Sequence, residues 1–142
     1  MLVDANVLLF AVDSSSPFHQ RAAGWLSEKL NGARRVGLPW ESLGAFLRIS
    51  TNPRATARPL TSDEAWSHVV EWLAAGPAWI PGPTDRHAEV LGTLIRSYRL
   101  VGNLIADARI AALAIEHGLT VCSADTDFAR FAEVTWENPF AG

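Results

Sequence analysis

Short apolar runs alternate with longer helical stretches along this chain, and that alternation limits the fold more than any other feature. Met1 to Ala5, Arg35 to Leu38, Ala78 to Ile80, Leu119 to Cys122 and Val134 to Trp136 read as strands. Between them, apolar residues recur at helical spacing. Helices are expected from about Asn6 to Val12, from Ser16-Pro17 to Leu30, from Trp40 to Thr51, after Thr61, from Thr84 to Tyr98 and from Asn103 to His117. Ser16 and Thr84 read as N-caps, and Thr61 to Glu64 as a capping box. In the helix after Thr61, the apolar set is Trp66, Val69, Val70 and Leu73. A short helix is expected over Asp127 to Phe131. Strands that alternate with helices imply an α/β fold with a mostly parallel sheet covered on both faces.

The chain has 142 residues, which suits one domain with an ordinary core. A single cysteine, Cys122, cannot form an intrachain disulfide and fits a reducing compartment. The N-terminus shows no basic leader, and no uncharged apolar run approaches the ~18 residues of a membrane span. A cytoplasmic protein is therefore expected. Net charge is −3, which argues against wholesale binding along a nucleic-acid backbone but leaves room for a local basic surface.

The residues that carry chemistry are acidic. Asp4 follows the first strand and Asp125 follows the fourth, so both should emerge at the strand ends where parallel sheets bind ligands. Each would also serve as a turn or helix N-cap. Asp107 is more informative. It shares a helix face with Leu104, Ala108, Ala111 and Ile115, where an unpaired carboxylate is costly. Glu41 opens the helix after the second strand, a position that the helix dipole alone would favour. Acids gathered at one edge repel each other, and a cation held by oxygen ligands, Mg²⁺ or Mn²⁺, would relieve this. Such an ion next to carboxylates suits phosphodiester hydrolysis.

Three stretches carry a resemblance: Leu2-Val3-Asp4-Ala5-Asn6-Val7-Leu8-Leu9, Leu104 to Ala114 around Asp107, and Thr120-Val121-Cys122-Ser123-Ala124-Asp125-Thr126-Asp127-Phe128. In this order, with Glu41 between them, they are similar to PIN-domain ribonucleases, most closely the VapC toxins of bacterial toxin–antitoxin pairs. The resemblance implies one PIN domain over residues 1–142, built as a three-layer sandwich with a central sheet of four to five strands. It implies a Mg²⁺- or Mn²⁺-dependent endoribonuclease that is a homodimer and is inhibited by a small cognate antitoxin. Asp4, Glu41, Asp107 and Asp125 carry over as the catalytic acids. Asp4, Asp107, Asp125 and Asp127 carry over as metal ligands, with Asn6 and Ser123 as polar supports.

Arg48, Arg54 and Arg58 lie in an acid-free stretch and are candidates for RNA phosphates, though a solvated loop accounts for them equally. Tyr98 reads as a core-edge aromatic rather than a base-stacking one. The four histidines show no metal-ligand spacing. Two other classes stay open. A haloacid-dehalogenase-type phosphatase also uses an Asp after its first strand, but it needs an acid where this chain has Asn6. A PIN module without catalysis, kept for protein binding, is the non-enzyme alternative.

Overall fold

The structure is a computed structural model and describes residues 1–141. Five strands, β1 (Leu2–Val3), β2 (Val36–Gly37), β3 (Ala78–Trp79), β4 (Val121–Cys122) and β5 (Trp136–Glu137), form one sheet in the order β3-β2-β1-β4-β5. Every pairing is parallel. The helices are α1 (Ala5–Val12), α2 (His19–Leu30), α3 (Trp40–Ser50), α4 (Ser62–Ala74), α5 (His87–Tyr98) and α6 (Leu104–His117). A 3-10 helix, Thr126–Arg130, follows β4.

The strands are shorter than expected: β2 and β3 run into Leu38-Pro39 and Ile80-Pro81, and β1 and β4 into the polar Asp4 and Ser123. Asp4 leaves β1 to cap α1, and its backbone N–H still donates to Cys122 at 3.0 Å. Successive residues of a strand face opposite sides. Leu2 accordingly packs with α5 and α6, through Leu94, Ala108 and Leu113, while Val3 packs with α1 to α4, through Val7, Leu26, Phe46 and Val69. Two apolar layers thus enclose the sheet. Gly37 sits where a side chain would be crowded, because a Cβ there would lie 3.0 Å from the Met1 carbonyl oxygen and 3.1 Å from the Pro81 ring.

Three local expectations need correction. α2 begins at His19, not at Ser16-Pro17. The Ser16 hydroxyl instead accepts a hydrogen bond from the Phe18 N–H within a turn. α5 begins at His87; the Thr84 hydroxyl donates to Glu116 and its oxygen accepts from the Arg86 N–H within a turn that precedes the helix. In α4 the buried face is Ala65, Val69 and Trp72, whereas Trp66 and Val70 are about half exposed. Seven apolar residues in that helix make two overlapping stripes, and the ring of Phe46, 4.8 Å from that of Trp72, selects one of them. The capping box at Thr61 and Glu64 is present.

Candidate active site

The strand order fixes where the site lies. The chain moves outward from β1 through β2 to β3, then returns to the other side of β1 for β4 and β5. The β1/β4 boundary is therefore a topological switch point, where a crevice opens beyond the strand ends. Asp4 follows β1, Glu41 follows β2, and Ser123 and Asp125 follow β4. α6 leads directly into β4 and so runs against the strands, which brings its first turn and Asp107 to the same edge.

The register pairs Val3 with Cys122, setting Asp4 level with Ser123. The Ser123 hydroxyl donates to Asp4 Oδ2 at 2.7 Å and accepts from Asn6 Nδ2 and the Asp125 N–H, both at 3.0 Å. One donor and two acceptor sites are all that a hydroxyl has. Asn6 is used at both ends of its amide: Nδ2 reaches Asp4 at 3.3 Å, and Oδ1 accepts from the Ala124 N–H at 3.2 Å. Asp4 Oδ1 caps α1 through the Ala5 N–H at 2.8 Å, and Asp125 Oδ1 caps the 3-10 helix through the Asp127 N–H at 2.8 Å. The capping roles weighed for Asp4 and Asp125 are thus real, and among the described residues that of Asp125 engages Oδ1 alone.

Capping does not account for Asp107. Burial, then the charges of Asp125, Asp4 and Asp127, push its carboxyl up to about 7, with Arg130 opposing more weakly. Among the described residues no hydrogen bond offsets this, in contrast to Asp4. There, burial pushes the carboxyl up, hydrogen bonds from Ser123 and Ala5 pull it back, and Asp125 adds repulsion. Asp107, Asp125 and Asp127 each offer a carboxylate oxygen within 4.8 Å of the others. An all-oxygen, multiply anionic donor set fits a hard divalent cation. A cation bound among these carboxylates would offset the mutual repulsion that, after burial, raises Asp107.

Asp4, Glu41 and Asp107 also line one cleft of about 550 Å³, together with Trp40, Arg48 and Arg109. Glu41 pairs with an arginine: Arg109 Nη2 is 3.8 Å from its Oε2. Sequence spacing turns Arg109 away from Asp107. It does not reveal that the same rotation around α6 points it at α3 and Glu41, a pairing that only the helix packing supplies. Of the three candidate phosphate-binding arginines, Arg48 lines this cleft. Arg54 sits exposed in the turn after α3, and Arg58 lines a separate pocket beside Asp13. Asp127 contacts Arg130 at 3.4 Å on the exposed side of the cluster.

Two aromatic and histidine roles are structural. Tyr98 donates to Glu133 at 2.8 Å and its ring meets Phe131 edge-on. His87 Nδ1 lies 2.7 Å from Glu116, a carboxylate partner that spacing did not reveal. Together with Thr84, this contact fastens the loop after β3, whose residues Ile80 to Pro83 form one wall of the cleft.

The sequence profile of the PIN domain matches residues 1–134. The chain belongs to the PIN-domain family. Among relatives of this PIN domain, ribonuclease VapC37 of Mycobacterium tuberculosis is 44% identical over 138 residues, covering 97% of this chain and 96% of the relative. Ribonuclease VapC33 of the same organism is 37% identical over 139 residues, covering 98% and 97%. Among solved structures, VapBC2 from Rickettsia felis, bound to a promoter DNA fragment, superposes with a TM-score of 0.69 at 17% identity. It covers 96% of both chains and agrees in fold. VapBC-1 from nontypeable Haemophilus influenzae superposes equally well, with a TM-score of 0.69 at 14% identity, covering 99% of this chain and 98% of that one.

Proposed function

We propose that this PIN domain, taken as one domain over residues 1–142, is an endoribonuclease toxin of a VapBC-type pair, with Asp4, Glu41, Asp107 and Asp125 as its catalytic acids. The observation that carries this is the convergence of four acids from β1, β2, α6 and β4 on one strand edge, with Asp107 raised to about 7 by burial and then by the charges of Asp125, Asp4 and Asp127. PIN-domain nucleases are metal-dependent, and the carboxylates here are suited to hold Mg²⁺ or Mn²⁺ through Asp4, Asp107, Asp125 and Asp127. Bound there, such an ion lowers the pKa of a water ligand and stabilises charge on a phosphoryl oxygen.

The chain's own residues supply the rest. Ser123 and Asn6 hold Asp4 in one orientation, so that its carboxylate need not reorganise when substrate arrives. Glu41 faces the cleft and is placed to orient a water or accept its proton. Arg48 and Arg109 line the same cleft and offer guanidinium donors to RNA phosphates. The phosphatase alternative loses ground because Asn6 is committed at both ends of its amide to holding the site together.

The relatives named VapC support a cognate antitoxin as partner, and the homodimer is part of the same reading. No helix among the described residues is long and apolar enough to cross a membrane, in line with action in the cytoplasm. Cleavage mapping on total cellular RNA, with Mg²⁺ or Mn²⁺ and with chelator, tests the proposal. Discrete metal-dependent cuts are expected. RNA left intact, with small phosphoesters hydrolysed instead, would overturn it.

A further inference from the structure

Two of the six tryptophans stand in the open next to the candidate site. Trp40 on α3 and Trp66 on α4 expose 48% and 49% of their surface. Their rings lie parallel to within 8°, with centroids 6.5 Å apart. An indole contributes much of a core's burial energy when it is inside, so two of them held face to face at the surface are poorly explained by stability. Trp40 immediately precedes Glu41 and lines the same cleft as Asp4 and Asp107. Arg48 and Arg109 line it too. The cleft therefore joins three chemistries: carboxylates, guanidinium groups, and flat aromatic faces at the rim.

We propose that the Trp40–Trp66 pair is a stacking platform that holds an unpaired base of the RNA substrate beside the bond to be cut. This rests on the ribonuclease reading above and deepens it. A single strand that lays its phosphates along Arg48 and Arg109 has its bases free to seek a π-face. Every base has such a face, so the platform selects for unpaired RNA rather than for sequence. Bases within a duplex are already stacked and cannot use it. Val70, one helical turn from Trp66 and about half exposed, extends the apolar area, so a bound protein segment is the competing occupant. What favours RNA is that the rings are continuous with a cleft whose arginines complement phosphate.

The test separates aromatic faces from apolar area. Binding of a short fluorescein-labelled oligoadenylate is measured by anisotropy in chelator, where no cleavage occurs, with RNA cleavage assayed in parallel in Mn²⁺. Trp66→Leu and Trp40→Leu keep apolar bulk but lose the ring, and should weaken binding at least about fivefold, the low end for one base–aromatic stack. Trp66→Phe should restore most of it. The unaltered protein should bind the same strand carrying abasic positions as weakly as the Leu variants bind the intact one, a comparison that needs no variant to fold. The platform is overturned if the unaltered protein cleaves RNA yet binds intact and abasic strands equally, or if the Leu variants bind RNA normally and lose only capture of the antitoxin. Should the unaltered protein neither bind nor cut RNA, the ribonuclease reading falls and the platform with it.

Discussion

Replacing Asp107 with Asn should stabilise the metal-free protein while removing its response to metal. The carboxyl rises from 3.8 to about 7 because it is partly buried among Asp125, Asp4 and Asp127. At ~1.4 kcal/mol per pH unit this corresponds to about 4 kcal/mol. Asp107 is only half buried, so water screens much of it, leaving roughly 1–2 kcal/mol. The folded state holds the proton more tightly than the unfolded chain, so stability falls as pH climbs from about 4 to about 7 and the loss is complete above that. Asn does not titrate. In chelator at pH 8, Asp107→Asn should therefore melt roughly 3–8 °C above the unaltered protein, and the two should converge near pH 4. Added Mn²⁺ should reverse the order, since an ion at a hundred times its dissociation constant stabilises the folded state by about 2.7 kcal/mol and the variant has lost a ligand. Thermal melts over this pH range, with chelator and with metal, provide the assay. A variant less stable than the parent at pH 8 in chelator, or a flat pH profile for the parent, refutes the reasoning.

Other consequences follow from individual contacts. Ser123→Ala should cost about 1–3 kcal/mol in a denaturant titration, because Asp4, Asn6 and the Asp125 N–H each lose a partner at a fully buried hydroxyl. Glu116→Gln should loosen the wall of the cleft, seen as faster hydrogen exchange at Thr84. Burial pushes the Glu116 carboxyl up, but hydrogen bonds from Thr84 and His87 outweigh this and hold it below its usual 4.5. The stability it contributes is therefore present above 4.5 and lost as pH falls through the folded value, so parent and variant should converge in acid. The Cys122 thiol, pushed up to about 11 chiefly by burial, should resist alkylation at pH 8 until urea unfolds the chain.

The parts legible in the sequence were those fixed by local rules. Alternating elements gave the parallel sheet, Gly118 at φ 66° marked the end of α6, and Asp107 on an apolar helix face betrayed a carboxylate without a structural excuse. What escaped was decided by tertiary partners. Ser16 and Thr84 carry the chemistry of helix caps, but their oxygens accept from Phe18 and Arg86 in turns ahead of the helices, so both helices start two residues later than those caps would set them. Trp66 and Val70 have the spacing of core residues, yet Phe46 selects the other stripe and Trp66 turns outward onto Trp40. Arg109 reached Glu41 because α6 packs on α3, and no spacing within α6 encodes that.

The central claim is that the acids of this strand edge, acting together with a divalent cation, cut RNA. Single-turnover cleavage of a mapped RNA site, compared among the unaltered protein, Asp4→Asn, Asp107→Asn and Asp125→Asn, tests it most directly. The account predicts cleavage in Mn²⁺ that chelator abolishes and that each substitution lowers by at least about a hundredfold, the scale expected when one group of a preorganised polar site is lost. Undiminished metal-dependent cleavage by Asp4→Asn and Asp107→Asn would contradict it.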